Sequence, residues 1–174
     1  VTSIAVTLLH SAVNPAHERG VGEIIAAEAP GTYVALSSSV LPVSGESERW
    51  STTMFAAYVA PVVTAFVGRI VGQLADSGFK GQLMFIQSNG GIATPEIVKE
   101  NPAVLLLSGP AAGPSLARSL GLANEFRNVL SVDMGGTSFD IALITDGRFE
   151  ITPTPDIARF MLNMPLVRID SIGA

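Results

Sequence analysis

The chain has 174 residues, a formal net charge of −5, only ten Lys and Arg residues and no cysteine. A chain of this length can bury one good-sized core or two small ones. So few basic residues argue against a nucleic-acid partner. The absence of cysteine excludes disulfides, a thiolate nucleophile and a cysteine-ligated metal, and it is compatible with a cytoplasmic location.

The first part of the chain predicts a β-α-β unit. Residues 3–9 are β-branched and leucine-rich, which is typical of a central strand. Asn14 and Pro15 mark a helix start, with Asn14 as the N-cap and Pro15 at the first helical position, and the helix is predicted over Ala16–Glu28. A second strand is predicted at Tyr33–Leu36, so we expect two parallel strands joined by a right-handed crossover.

Two histidines, His10 and His17, flank the start of this helix. Their spacing fits no standard metal pattern. Capping or hydrogen bonding is therefore the favoured interpretation of both side chains.

A long helix is predicted from about residue 51 to residue 76. Apolar side chains recur there at helical spacing, at Phe55, Tyr58, Val59, Val62, Val63, Phe66, Val67, Ile70 and Leu74. The uncharged part, residues 54–67, is shorter than a membrane span, contains Pro61 and leads into Arg69. We therefore expect a buried amphipathic helix and no membrane partner.

A polar loop, QSNGG at residues 87–91, follows a predicted strand at residues 83–86. Ligands of open α/β sheets collect beyond the carboxyl ends of strands, which makes this loop a candidate site wall. A plain turn at Asn89-Gly90 explains the same residues equally well. Helices are predicted next over residues 95–100 and 108–120, with Ser108 as the N-cap of the second.

The most informative stretch is VLSVDMGGTSFDIALITDG at residues 129–147. It predicts a strand at residues 129–132, followed by Asp133 and a tight turn at Gly135-Gly136. The return strand is predicted at residues 139–144 and contains a second acid, Asp140. Glycine permits a positive φ and a close approach of ligand to backbone, because it has no Cβ. An ordinary hairpin with two solvated aspartates is the alternative interpretation.

The residues of this turn suit phosphate oxygens. The amides of the two glycines and the hydroxyls of Thr137 and Ser138 would form a small concave set of donors. Asp133 and Asp140 would repel an anion, so a divalent cation, Mg²⁺ held partly through water, is the expected mediator. The stretch therefore predicts a nucleotide-phosphate site.

The run DMGGTSFD at residues 133–140 resembles the second phosphate loop of the ATPase superfamily that contains actin, sugar kinases and heat-shock chaperones. More narrowly, it is similar to the A-type subunit of the hydantoinase/oxoprolinase family. Four further runs resemble that family in its order: HSAVNPAHE (10–18), QSNGG (87–91), SGPAAG (108–113) and IGA (172–174). The resemblance implies an α/β protein with a partial actin-like ATPase (ribonuclease H-like) fold, in which helices flank a mixed sheet.

The resemblance also implies a division of the chain into three parts. Residues 1–50 would end the family's N-terminal portion, residues 51–124 would begin its main hydantoinase A portion, and residues 125–174 would begin the second actin-like lobe. The chain is then expected to be an internal fragment without the first phosphate loop and the adenosine-binding region. Arg168 and Asp170 stand where the family pattern has an acid and a histidine, so we assign no metal role to this segment.

The activity implied by the resemblance is ATP-dependent hydrolysis of a cyclic amide such as 5-oxoproline or a hydantoin. Asp133 would hold Mg²⁺ or its bound water, Asp140 would orient metal or water, and the β- and γ-phosphates would be bound by Gly135, Gly136, Thr137 and Ser138. Alternatives are ATP-dependent carboxylation of a ketone and a chaperone-like nucleotide switch without enzymatic activity. A B-type subunit and an oligomeric state are also implied.

Overall fold

A computed structural model describes residues 1–157 and 159–173 of the chain. The helices are α1 (Ala16–Glu28), α2 (Ser37–Val40), α3 (Glu46–Asp76), α4 (Pro95–Glu100) and α5 (Ser108–Ala123), with a short 3₁₀ turn at Pro102–Leu105. The strands are β1 (Ser3–Val6), β2 (Tyr33–Leu36), β3 (Phe85–Ile86), β4 (Ile92–Ala93), β5 (Val129–Met134), β6 (Ser138–Thr145), β7 (Arg148–Phe149), β8 (Ile151–Thr152), β9 (Asp156–Ile157), β10 (Phe160–Met161), β11 (Leu166–Val167) and β12 (Asp170–Gly173). The predicted α/β class is confirmed.

The chain groups into two compact units, each assembled from segments that are distant in sequence. Unit 1 comprises Val1–Phe85, Ala93–Ala103 and Thr154–Met164. Unit 2 comprises Ile86–Ile92, Val104–Pro153 and Pro165–Ala174. The three-part division implied by the family resemblance remains a prediction.

Unit 1 begins with the β-α-β arrangement that the sequence predicts. β1 and β2 pair in parallel over all four residues of each strand, and α1 has the predicted bounds. β1 ends at Val6 rather than at residue 9. The predicted cap is wrong: Pro15, not Asn14, occupies the N-cap position, because Ala16 rather than Pro15 is the first helical residue. Asn14 Oδ1 accepts a hydrogen bond from the Ala16 amide at 3.1 Å.

The long helix α3 begins at Glu46 rather than near residue 51. Its buried side contacts β1 and β2 and consists of Arg49, Thr52, Thr53, Ala56, Ala57, Ala60 and Val67. Tyr58 and Val62 on another side are 80% and 74% exposed, so the expected burial holds for one face only. By length and composition α3 also meets the criteria for a membrane-spanning helix, which the core helices of water-soluble proteins meet as well.

Unit 2 contains an antiparallel sheet in which β12, β6 and β5 are neighbours and β7 also pairs with β6. α5 packs against β5 and β6. The prediction that Ser108 caps α5 is wrong, because Ser108 is already helical and Leu107, in the left-handed conformation with φ 56°, holds the N-cap position. The 3₁₀ turn at Pro102–Leu105 leads into α5, whose N-terminus has no side-chain cap.

The QSNGG loop is a turn in unit 2. Gly90 has φ 79°, and its amide donates a hydrogen bond to the Gln87 carbonyl at 2.9 Å. The Ser88 hydroxyl donates to the carbonyl of Val104 at 2.7 Å and to that of Leu106. The turn interpretation is confirmed, whereas a role of this loop as a site wall stays a prediction.

Candidate functional site

The predicted phosphate stretch forms a hairpin in unit 2. β5 and β6 pair antiparallel, and their pairing extends to Met134 opposite Phe139. The connection is Gly135, Gly136 and Thr137, and it is closed by a hydrogen bond from the Gly135 amide to the Ser138 carbonyl at 3.0 Å. Both strands reach closer to the glycines than predicted, so Asp133 lies within regular sheet, as Asp140 was predicted to.

Asp133 and Asp140 are direct partners in the β5–β6 register. Directly opposed side chains of an antiparallel pair project from the same face, with Cβ atoms about 4.5–5.5 Å apart. Asp133 is exposed and Asp140 is half-buried, and among the described residues neither forms a salt bridge. Two neighbouring negative charges without a basic partner repel each other, and a bound cation would remove that repulsion.

The two glycines leave space open beside this pair. Neither Gly135 nor Gly136 has a positive φ, so the three-residue connection, closed by the Ser138 carbonyl, is made without left-handed backbone at either glycine. A Cβ added at Gly136 would meet no heavy atom within 4 Å, and one at Gly135 would meet only the Ser138 carbonyl oxygen, at 3.9 Å. The glycines therefore keep the backbone accessible to a ligand.

The pair of aspartates fits the donor set that Mg²⁺ prefers. In the described part of the chain, no group of three or more His, Asp and Glu side chains could hold a metal ion, and His10 and His17 are both exposed. Mg²⁺ is commonly bound through one or two carboxylates, with waters and substrate phosphates as the other ligands. Asp133 and Asp140, beside the exposed backbone of Gly136, suit that arrangement, and their roles remain predictions.

Ser171 on β12 is a neighbour that sequence reasoning did not assign to the site. It lies directly opposite Asp140 in the β12–β6 register, and its hydroxyl donates a hydrogen bond to Asp140 Oδ1 at 2.5 Å. The sequence signal is weak, because Ser171 lies outside both the DMGGTSFD and the IGA runs. The structure places it on β12, beside β6.

Unit 1 contains a different group of charged residues, which is buried. Glu18 and Arg49 are both 0% exposed. Glu18 Oε1 accepts hydrogen bonds from the Leu8 amide at 2.8 Å and the Ser37 hydroxyl at 2.6 Å, and Oε2 accepts one from the Ser38 amide at 2.8 Å. The Ser37 hydroxyl in turn accepts a hydrogen bond from Arg49 Nε at 3.2 Å. We call these five residues the Glu18 cluster.

All three guanidinium nitrogens of Arg49 are engaged. Besides the bond from Nε, Nη1 donates to the Val43 carbonyl at 3.0 Å, and Nη2 donates to the Leu8 carbonyl at 3.0 Å and to Glu46 Oε1 at 3.2 Å. These contacts join the loop after β1 to the start of α3. A buried guanidinium whose donors already have protein partners is suited to holding the fold rather than to binding an anion.

The pKa of Glu18 reflects two opposing effects. Burial raises it, but hydrogen bonds from the Ser37 hydroxyl and from the Leu8 and Ser38 amides outweigh burial and lower it to about 2. Glu18 is therefore an anion at neutral pH, held by donors that the fold supplies. Sequence reasoning missed this cluster because its members are scattered among a strand end, a helix turn and polar connections.

Known proteins are similar to this chain over its whole length. The family model described as hydantoinase/oxoprolinase matches residues 49–174. The alpha subunit of caprolactamase from Pseudomonas jessenii is 32% identical over all of this chain, which covers 25% of that protein. 5-Oxoprolinase 1 from Arabidopsis thaliana is 33% identical, again over all of this chain, which covers 14% of that protein.

A solved structure is similar as well. The nucleotide-free structure of acetone carboxylase, an enzyme of ATP-dependent acetone carboxylation, aligns with all of this chain at 34% identity and a TM-score of 0.85. This chain covers 25% of that one, so it spans a quarter or less of the length of these relatives. The family match, the identities and the shared fold together place the chain in the hydantoinase/oxoprolinase family.

Proposed function

We propose that this chain supplies a phosphate-binding hairpin to an ATP-dependent enzyme that hydrolyses cyclic amides. The observation that carries the proposal is the opposed Asp133–Asp140 pair beside an open glycine turn, without a salt-bridge partner among the described residues. The names of two relatives support the substrate class, since caprolactam and 5-oxoproline are both cyclic amides. The ATP dependence of acetone carboxylation by the structurally similar enzyme supports the use of ATP.

The proposed chemistry follows from the poor reactivity of an amide carbonyl. Transfer of the γ-phosphoryl group of ATP to the carbonyl oxygen releases ADP and makes the carbonyl carbon a better electrophile. Water adds to that carbon, the C–N bond breaks as the nitrogen takes up the proton, and a second water hydrolyses the resulting acyl phosphate to the acid and phosphate. The chain's own residues bind and orient the phosphates, through the amide of Gly136 and the hydroxyls of Thr137 and Ser138, because the Gly135 amide already donates to the Ser138 carbonyl. Such catalysis consists mainly of positioning and charge stabilisation.

The two acids have separate roles in this proposal. Asp133 holds the metal or its bound water, and Asp140 orients the metal or water from the opposite strand. Mg²⁺, when bound, neutralises charge on the phosphate oxygens. Without a cation, both carboxylates would oppose the approach of the phosphates.

ATP-dependent carboxylation of a ketone is the second candidate function. The similarity to the acetone carboxylase structure, with its TM-score of 0.85, favours it. The same hairpin would serve, with phosphate activating bicarbonate or an enol instead of an amide. A requirement for bicarbonate separates the two reactions.

We also propose that the complete protein is cytoplasmic and works in an oligomer with a B-type subunit. The caprolactamase relative is itself named as a subunit. Co-purification of the complete polypeptide with the product of a neighbouring reading frame tests the assembly. A stable, active single-chain enzyme would contradict it.

Phosphate release from MgATP by the complete polypeptide, together with its partner subunit, tests the function. The substrates are 5-oxoproline, a hydantoin, caprolactam and acetone, each with and without bicarbonate. Release coupled to ring opening without bicarbonate supports the hydrolase. Release that needs both acetone and bicarbonate supports the carboxylase, and no release with any of these substrates contradicts both.

A further inference from the structure

We propose that Ser171 is a positioning residue that fixes the carboxylate of Asp140 for metal and nucleotide binding. The inference rests on the proposed function, because it concerns the same hairpin. It adds a third strand, β12, to a site that the sequence motif confines to β5, β6 and the turn between them.

The geometry makes the contact specific to Asp140. Ser171 is the direct β12 partner of Asp140, and its Oγ lies 2.5 Å from Asp140 Oδ1. This distance is in the range of a hydroxyl donating to an ionised carboxylate, about 2.5–2.7 Å. Asp133 lies on β5, on the opposite side of Asp140 from Ser171, and among the described residues no hydroxyl donates to it in the same way.

The contact makes the two acids unequal. Asp140 has one oxygen occupied by Ser171, which restricts its rotation and leaves Oδ2 as the oxygen available to a metal or a metal-bound water. Asp133 keeps both oxygens available. Partners that orient a metal's ligands commonly change metal affinity by about 10- to 100-fold when they are removed. Ser171 therefore orients Asp140 so that Oδ2 meets the metal or its bound water, whereas Asp133 can bind with either oxygen.

A purely structural role for Ser171 makes a different prediction. In that case its hydroxyl would only help β12 to pair with β6, and loss of the hydroxyl would lower stability without a specific effect on metal binding. Ser171→Ala removes the donor, whereas Ser171→Thr keeps it. Ser119→Ala is the matched control, since that exposed hydroxyl donates only to the Ser115 carbonyl within α5.

The experiment measures Mn²⁺ binding in the presence of ADP by electron paramagnetic resonance, in the complete polypeptide and its three variants. Ser171→Ala is expected to weaken Mn²⁺ affinity by about tenfold and to raise KM for MgATP more than it lowers kcat. Ser171→Thr and Ser119→Ala should retain wild-type affinity, and all variants should retain the wild-type melting temperature.

Two results overturn the inference in distinguishable ways. Wild-type Mn²⁺ affinity in Ser171→Ala, or equal losses in Ser171→Ala and Ser171→Thr, rejects the positioning role and leaves the proposed function standing. Failure of the wild-type polypeptide itself to bind Mn²⁺ with ADP rejects the proposed site, and the role of Ser171 with it.

Discussion

Glu18 in unit 1 and Asp133 in unit 2 are both carboxylates, but the fold surrounds them in opposite ways. Glu18 is 0% exposed and accepts three hydrogen bonds from the protein. Asp133 is exposed, faces another aspartate across the sheet and has no salt-bridge partner among the described residues. The Glu18 carboxylate therefore stabilises the fold, whereas the Asp133 carboxylate is available to a ligand.

The difference separates stability from function. A buried charge is costly unless hydrogen bonds and opposite charges compensate it, so removing the charge from a compensated cluster destabilises the protein. Asp133 is exposed and faces a like charge, so its replacement by Asn should leave stability nearly unchanged while abolishing binding. Mutations in the Glu18 cluster should therefore change the free energy of unfolding, whereas mutation of Asp133 should change ligand binding and activity.

The largest expected effect on folding comes from Glu18→Gln. The amide group offers one acceptor oxygen where three donors converge, so we expect a loss of about 3 kcal/mol in the free energy of unfolding at pH 7. The lowering of the Glu18 pKa from 4.5 to about 2 gives the same magnitude, at about 1.36 kcal/mol per pH unit of pKa shift. Urea titration followed by the fluorescence of Trp50, the single tryptophan, measures the change.

The same substitution predicts a pH dependence with a definite sign. Because the pKa is lower in the folded state, the contribution of Glu18 to stability is complete above pH 4.5 and is lost as the pH falls towards 2. The difference between wild type and Glu18→Gln should therefore shrink over that interval. Glu23→Gln, at an exposed position of the same helix, is the control, and equal effects of the two substitutions would contradict the role of the buried cluster.

Asp133→Asn should lower activity and leave stability nearly unchanged, the opposite of the effect expected for Glu18→Gln. We expect the rate of phosphate release by the complete polypeptide to fall by about 100-fold or more, because the amide carries no charge to hold a metal. The free energy of unfolding should change by less than about 0.5 kcal/mol, since the side chain is exposed. Asp146→Asn is the matched control, as that acid is exposed in the β6–β7 turn, 3.9 Å from Arg127. An undiminished rate in Asp133→Asn would remove this residue from the site.

The hairpin was predictable because its signals are local. The apolar runs, the paired glycines and the two acids all lie within residues 129–144, and Asp146-Gly147 adopts the left-handed turn, with φ of 51° and 73°, that this dipeptide favours. The Glu18 cluster and the Ser171 contact were not predictable in this way. They join residues between 10 and 41 positions apart, and only the tertiary fold brings such residues together.

The smallest expected effect on folding concerns the turn itself, at Gly136. Gly136→Ala should change the free energy of unfolding by no more than about 1 kcal/mol, in either direction, because the position lacks a positive φ and an added Cβ meets nothing within 4 Å. Gly90→Ala is the contrasting variant. Gly90 has φ 79°, and an added Cβ would lie 2.6 Å from the Phe149 ring, so a loss of about 2 kcal/mol is expected.

Gly136→Ala should weaken nucleotide binding more than Gly90→Ala does, which is the reverse of their expected effects on stability. If phosphate oxygens approach the Gly136 backbone, a methyl group there occupies the space that they need, and the affinity for MgADP should fall although the fold is intact. Gly90→Ala should leave that affinity close to the wild-type value at temperatures where the protein stays folded. Isothermal titration calorimetry with MgADP measures both affinities. An unchanged affinity in Gly136→Ala would mean that the open space beside the turn is not where the nucleotide binds, and that Asp133 and Asp140 face a ligand approaching from another side.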